Sequence, residues 1–483
     1  MHYALKSAAP PIDCDVCIIG GGSAGLSVAA GAAQLGARVV LIEEGAMGGD
    51  CLNTGCVPSK SLIAAAHAAH AASSGRHFGV GPGESAAIDF GRVHDHIHEV
   101  IAAIAPNDSV ERFERLGIRV IKETASFSGR DEVIAGSHRI RARRYVVATG
   151  SRASVPDVAG LRDAEPLTNE TIFGLRERPD HLIVIGGGPI GLEMAQAFRR
   201  LGSAVTVVEK GDILPRDEPE AAALARSALR SDGVDLFERS NLLAVTRTER
   251  SVVVGIEYAE GTRSISGSHI LVAAGRVPNT HGLGLEQAGI DFGPRGIKVD
   301  QRLRSSNRRV FAIGDIAGGP QFTHVAGYHA GIVVRNILFG LPAKVDYRAL
   351  PWVTYLDPEV AHVGLTEAEA AKKHRGVRTI RQHLSENDRA QSERRTEGFI
   401  KLVLSSKGRV LGVTIAAPHA GEMIGMWGLA ISQRLPLSAV AGMILPYPTM
   451  SEVSKRAASA YFTPKLFSAV PRAIVGLVQR VLP

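Results

Sequence analysis

The hydrophobic pattern along the chain repeats once. Asp15–Gly25 reads DVCIIGGGSAG: an apolar run, a glycine turn, then an Ala-rich helical stretch over 27–35. A second apolar run, Val39-Val40-Leu41-Ile42-Glu43, follows it. His181–Gly191 reads HLIVIGGGPIG and leads into a helical 192–201 and then Val205-Thr206-Val207-Val208-Glu209. Continuous apolar runs mark buried parallel strands, and the helical stretch between them marks the crossover. Two βαβ units are therefore predicted. Between them the pattern predicts a helix over 61–74, a loop over Gly75–Asp89 and a helix over about 91–116. Strands follow at 118–123, 132–135 and 139–148, and short strands recur through 244–273. After Asp346 the character changes. Val353–Val363, Phe399–Leu404 and Val410–Ala417 read as strands, with helices at 421–434 and 450–460. The expected fold class is α/β: two Rossmann-like dinucleotide-binding domains plus a C-terminal α+β domain.

Each glycine turn has the form G-x-G-x-x-G inside a complete βαβ unit. Gly20 and Gly186 permit the tight turn, Gly22 and Gly188 let a pyrophosphate approach the backbone, and Gly25 and Gly191 let helix and strand pack closely. Ser23 and Ala24 fill the variable places in one loop; Pro189 and Ile190 fill them in the other. An acidic residue stands 23 positions after the first glycine in both units, Glu43 and Glu209. Such a carboxylate accepts hydrogen bonds from ribose hydroxyls. Two dinucleotide sites are implied. Glu209 would repel a 2′-phosphate and so favours NAD over NADP, with Lys210 and Arg216 nearby to soften that preference.

The chemistry concentrates at residues 48–60, GGDCLNTGCVPSK. Pro58 is expected at the first position of a helix, where a missing N–H costs nothing. The turn then delivers Cys51 and Cys56 to a helix N-terminus, whose free amides stabilise a thiolate. The pair reads as a switch that stores two electrons. Its position beside the first dinucleotide site makes FAD the expected cofactor there, with NAD(P)H in the second.

Composition changes little in this picture. A chain of 483 residues suits about three domains, and 45% apolar with 21% charged residues is ordinary for a globular protein. Four cysteines do not make a disulfide scaffold, which fits a cytoplasmic setting. The first 17 residues show no secretory pattern, and no run of 18 apolar residues occurs. The net charge of +7 comes from scattered arginines without a nucleic-acid motif, so nucleic acid is not an expected partner. Cys14 and Cys17 read as one surface and one core cysteine rather than a metal pair. His94, His96 and His98 read as a solvated helix, with only His94 and His98 on one face and Asp95 turned away.

Together these features resemble the class I pyridine nucleotide-disulfide oxidoreductases, which include dihydrolipoamide dehydrogenase, glutathione reductase and mercuric reductase. Ala148-Thr149-Gly150-Ser151, Ala274-Gly275-Arg276-Val277-Pro278-Asn279 and Phe311-Ala312-Ile313-Gly314-Asp315 carry the resemblance further. It implies an FAD-binding domain from 1–152 and 280–346, an NAD(P)-binding domain from 153–279, a dimerisation domain from 347–465 and a basic apolar tail from 466–483. It further implies that Thr149, Gly150, Gly275 and Asp315 lie along the cofactors, that Lys60 and Glu193 form an ion pair near the flavin, and that His324 makes a structural hydrogen bond close by. By the same resemblance, NAD(P)H reduces the flavin and the flavin reduces the disulfide. Cys56 is the thiol against the flavin, and Cys51 is the exposed thiol that attacks the acceptor. A homodimer shares its active sites.

The chain departs from that pattern at one catalytic position. Disulfide-reducing members carry His-Pro-Thr-x-Ser-Glu, and here Tyr447-Pro448-Thr449-Met450-Ser451-Glu452 stands instead. Tyr titrates near 10 and His near 6.5, so Tyr447 is a poor general base at neutral pH and at best a donor to a leaving thiolate. Mercuric reductase also has Tyr there, yet this chain lacks that enzyme's C-terminal cysteine pair. Asp50 beside Cys51 is expected to raise the Cys51 pKa, and Pro189 stands where a gating Tyr occurs in other members. The expected activity is NAD(P)H-dependent reduction of a small disulfide, a quinone or a metal ion through Cys51–Cys56. The alternatives are a mercuric-reductase-like metal reductase and a slow redox-sensing interaction protein. Leu466–Pro483, with only Arg472 and Arg480 as charges, is expected to dock on the protein surface rather than on a membrane.

Overall fold

The computed structural model describes residues 10–80, 88–249 and 251–482. Part of the expected Gly75–Asp89 loop lies outside the described residues; its start, Gly75–Phe78, is a single 3₁₀ turn. The strand Ile12–Ile19 heads the first layer. It pairs in parallel with Val39–Ile42 on one side and with His138–Val147 on the other, placing Ile18 opposite both Leu41 and Val146. All three residues are fully buried, which is why the stretch Val16–Ile19 is apolar on every position. Val310–Ala312 joins the same sheet beside His138–Val147, so a segment far along the chain completes the first nucleotide fold. Helix Ser23–Gln34 packs on this sheet through Ala24, Leu26, Val28, Ala29 and Ala32; the small residues allow close approach.

The second unit repeats the design. His181–Ile185 lies between Ala204–Val208 and His269–Val272, all parallel, with helix Pro189–Arg200 as its crossover. An antiparallel meander, Asn241–Arg247, Val252–Tyr258 and Gly261–Gly267, flanks it. A two-stranded ribbon, Ser151–Ala153 with Arg276–Pro278, carries the chain between the two units. The third body is a five-stranded antiparallel sheet in the order Pro351–Thr354, Glu359–Gly364, Val410–Ala417, Phe399–Leu404, Arg378–His383. Helices Ala420–Ser432 and Glu452–Ala460 bury Trp427, Ile424, Val453 and Ala457 in its core.

Several elements differ from expectation. The 91–116 helix is two, Phe90–Ile104 and Val110–Arg115, because Pro106 sits in the intervening 3₁₀ turn and cannot continue an α-helix. Val353–Val363 is two strands, separated at Asp357-Pro358. Helices Pro219–Ser231 and Thr323–Leu338 and strand Arg378–His383 were not anticipated. Arg378–His383 is mostly exposed and strongly polar, so its alternation is masked. Pro58 occupies the third position of its helix rather than the first, still within the turn whose amides lack internal partners. Cys14 is buried with Cys17 in the sheet core, since the strand is covered on both faces. His94 is likewise buried, and Asp95 turns back to bond it at 3.1 Å.

The second unit and the third body are pinned together by buried charge. Lys401 is 2% exposed and meets Glu218 at 3.0 Å, Glu220 at 3.0 Å and Glu367 at 2.6 Å. Glu218 and Glu220 open the helix Pro219–Ser231 of the second unit, whereas Lys401 belongs to the third-body sheet. Arg200 bonds Asp232 and Asp357, both at 2.8 Å, across the same boundary. Removing Lys401 leaves Glu218, itself 2% exposed, without its cation and away from solvent. Lys401→Met is expected to lower stability by about 3–5 kcal/mol. Arg381→Ala, on the exposed edge of the same cluster, should cost less than about 1 kcal/mol. Chemical denaturation at fixed protein concentration checks this; equal losses for both variants would contradict it.

Candidate active site

The dithiol turn is docked on the first phosphate-type loop. Gly48 donates its amide to Gly21 at 2.9 Å, and Gly48 bridges Gly22. Gly49 has φ +60, and a Cβ there would lie 2.8 Å from Gly22 Cα, so only glycine lets the two loops touch. Cys51 lies in the short helix Gly49–Asn53, and Cys56 is the first residue of Cys56–Ser74. That helix buries Leu62, Ile63 and Ala66 in a core shared with Leu192 and Met194 of the second unit and Leu356 and Val360 of the third. The helix bearing the thiols is therefore held by all three bodies.

Both cysteines are free thiols, Cys56 exposed and Cys51 half-buried within this chain. Cys56 opens on a cavity of about 410 Å³ lined by Val57, Lys60, Ser61, His96, Val100 and Ile104. The hydrogen bond with Cys51 lowers the Cys56 thiol to about 6; Thr323, whose hydroxyl is 3.3 Å from Cys56 Sγ, and the Lys60 charge act the same way against burial. The bond with Cys56, helped by burial, pushes Cys51 far above the usual thiol range. Thr323 heads its own helix and is the neighbour of His324, which was singled out instead. His324 bonds the Pro351 carbonyl at 2.9 Å and stacks on Phe322, the structural role expected of it.

Lys60 Nζ meets Glu193 Oε2 at 2.8 Å and lies 4.4 Å from the centre of the Tyr355 ring. Glu193 is only 5% exposed, and its other oxygen accepts the Tyr355 amide at 2.9 Å. Asp50 does not act as expected. Arg276 bonds it at 2.7 Å, Asn169 at 2.8 Å and Thr54 at 2.6 Å, and its charge bears weakly on Cys56 rather than on Cys51. The same Arg276 donates to Ser151 at 2.7 Å, and Ser151 donates to Asp315 at 2.5 Å. Burial raises the Asp315 carboxyl, with Ser151 and Arg276 opposing it. Arg276 lies in the motif Ala274–Asn279, so its position was legible although its partner was not. Thr149 and Asn279 close the ribbon with reciprocal bonds of 3.0 and 2.9 Å.

The two glycine loops are near copies. A Cβ on Gly20 would strike Ala148 O at 2.4 Å, and one on Gly186 would strike Ala273 O at 2.4 Å. Gly25 and Gly191 press on the carbonyls of Gly20 and Gly186. A Cβ on Gly22 would meet only Gly49 Cα at 3.8 Å, and one on Gly188 would meet nothing within 4 Å, which is the open cradle a pyrophosphate requires. Pro189 and Ile190 stand exposed at that second loop. Glu43 accepts the Gly21 and Gly45 amides at 2.5 and 2.6 Å; Glu209 accepts those of Gly187 and Gly211 at 2.6 and 2.7 Å. Gly150 and Gly275 hold φ of +67 and +128 at the ribbon ends. These loops fit two dinucleotides.

Tyr447 is 69% exposed, and its hydroxyl donates to Asp388 at 2.9 Å, which raises its pKa. Glu452 does not bond Tyr447: a phenol offers one polar atom at its tip, and Asp388 takes it. Glu452 Oε2 is buried with no hydrogen-bond partner among the described residues. No cluster of three or more potential metal-ligating side chains occurs among the described residues. The Cys56 thiolate sets a pH dependence. Its pKa is lowered, so the thiolate is present above about 6 and lost below it. Thiolate absorbance of the reduced chain should rise through a midpoint near 6. Cys51→Ala should move that midpoint up towards the free-thiol value of about 8.5; an unmoved midpoint would contradict the coupling.

Comparison with known proteins agrees with this geometry. Residues 14–330 match the model for pyridine nucleotide-disulphide oxidoreductases, and residues 350–458 match that for the family's dimerisation domain. A mercuric reductase from Streptomyces lividans is 36% identical over 457 residues, 92% of this chain and 96% of that protein. A dihydrolipoyl dehydrogenase from Geobacillus stearothermophilus is 35% identical over 456 residues, with the same coverage of 92% and 96%. Among solved structures, the Cu(II) complex of the HOCl-induced flavoprotein disulfide reductase RclA from Escherichia coli superposes with a TM-score of 0.83 at 28% identity, covering 92% of this chain and 99% of that one. LpdA from Mycobacterium tuberculosis gives 0.84 at 29% identity, with the same coverage of 92% and 99%. The chain belongs to the pyridine nucleotide-disulphide oxidoreductase family and is an FAD-dependent, NAD(P)H-dependent oxidoreductase built around a redox-active dithiol.

Proposed function

We propose that this oxidoreductase delivers its two electrons to a thiophilic metal ion bound by Cys51 and Cys56. The observation that carries the reading is the Tyr447 hydroxyl, bonded to Asp388 and held in its neutral form. Thiol–disulfide exchange needs a group that takes and returns a proton at the attacking thiol. A soft cation held by two thiolates needs none. The overall balance is NAD(P)H plus M²⁺ giving NAD(P)⁺, a proton and M⁰, or two ions each reduced by one electron. The mercuric reductases among the relatives and the copper complex of RclA support the reading. Cys14 and Cys17 are buried in the sheet core, so Cys51 and Cys56 alone are placed to hold the ion.

FAD, when bound, relays electron pairs between the nicotinamide and the dithiol. Gly20, Gly22, Ser23, Ala24, Gly25 and Glu43 would hold its pyrophosphate and ribose, with Thr149, Gly150, Asp315 and His324 along the rest. Gly186, Gly188, Pro189, Ile190, Gly191, Glu209 and Gly275 would hold the nicotinamide cofactor. Lys60 fixes a positive charge at the dithiol, and Glu193 holds that ammonium in place. Thr323 and Lys60 keep Cys56 ionised, while Cys51 retains its proton until an acceptor displaces it. In a homodimer, which the matched dimerisation domain supports, Tyr447 of the partner subunit would face the pair.

A panel of Hg(II), Cu(II), quinones, lipoamide and glutathione disulfide, run with NADH and NADPH, tests the acceptor. Metal-dependent turnover at excess thiol should exceed disulfide turnover, and the reverse order would sink the metal reading. Tyr447→His should raise disulfide turnover roughly tenfold or more by restoring a base, with metal turnover changed far less. Glu209→Gln keeps the shape of the carboxylate and removes its charge. The ratio of kcat/KM for NADH over NADPH should then fall by roughly tenfold; an unchanged ratio would show that Glu209 does not select the nucleotide.

A further inference from the structure

The helix Ala469–Val481 buries no residue. The expectation that it docks on the protein is not met by this chain: Val470, Ile474, Leu477, Val478 and Val481 are between 40% and 78% exposed. At 100° per residue these five fall within an arc of about 100°. Arg472, Gly476, Gln479 and Arg480 lie on the opposite side, with the exposed Val475 among them. From residue 453 onward the chain carries Lys455, Arg456, Lys465, Arg472 and Arg480 and no Asp or Glu.

We propose that Ala469–Val481 docks this flavoenzyme on an anionic lipid surface, lying in the plane of the interface. The apolar arc enters the acyl boundary, and the arginines reach back to headgroup phosphates. No helix among the described residues is long and apolar enough to cross a membrane, so this helix lies on the surface rather than spanning it. Charge complementarity selects the occupant. From residue 453 onward the segment is wholly basic, and an anionic bilayer attracts it.

Flotation of the full, FAD-loaded chain with vesicles tests the proposal, using phosphatidylcholine alone or mixed with phosphatidylglycerol. The chain should float with the anionic vesicles, less with the neutral ones, and less as salt rises. Arg472→Gln with Arg480→Gln should weaken binding roughly 30-fold. Ile474→Asp with Val478→Asp should abolish it while NADH oxidation and dimer mass stay unchanged. The proposal is overturned if the native chain fails to float with anionic vesicles, or if flotation survives the aspartate substitutions. It is equally overturned if those substitutions dissociate the dimer, because a second copy would then be what covers the face.

Discussion

The Lys60–Glu193 ion pair is the constraint on which the site depends. Each partner comes from a different nucleotide unit, and the third body closes the pair through the Tyr355 amide. A carboxylate that is 5% exposed is costly unless it is both paired and hydrogen-bonded, and Glu193 is both. The pair thus couples the relative placement of three bodies to the charge beside Cys56. A chain whose bodies were displaced would strand Glu193 and remove the cation that helps hold Cys56 ionised. Stability and reactivity are here one requirement.

A second network performs the same service at the other end of the turn. Arg276 reaches Asp50, Ser151 and, at 3.7 Å, Asp315, tying the dithiol turn to the ribbon between the nucleotide units. Asp50 is thereby a clamp rather than a modulator of Cys51. The asymmetry of the two thiols then arises from their own hydrogen bond and from Thr323 and Lys60. On the proposed reading the storage half follows the family pattern and the outlet is the altered part, because Tyr447 bonded to Asp388 is a poor base.

The doubled glycine pattern made both nucleotide folds legible, because steric demands at Gly20 and Gly186 are local and leave a sequence trace. Lys60 and Glu193 were legible through family resemblance alone, since they are 133 residues apart and nothing local joins them. The Asp50 clamp was misread because Arg276 arrives from 226 residues away. Asp388 as the partner of Tyr447 was missed for the same reason. Cys14 was misplaced because the strand begins at Ile12, before its apolar run, and is covered on both faces.

The central claim is that Cys51 and Cys56 store an electron pair drawn from the nicotinamide cofactor. Thiol counting under denaturing conditions tests it most directly, on the air-oxidised, FAD-loaded protein before and after anaerobic NADH. Of the four cysteines, Cys14 and Cys17 should count as thiols throughout, so two should rise to four. Cys56→Ser should show no NADH-dependent rise. A count that stays at two in the native protein, or one that rises in the variant by the same amount, would contradict the account.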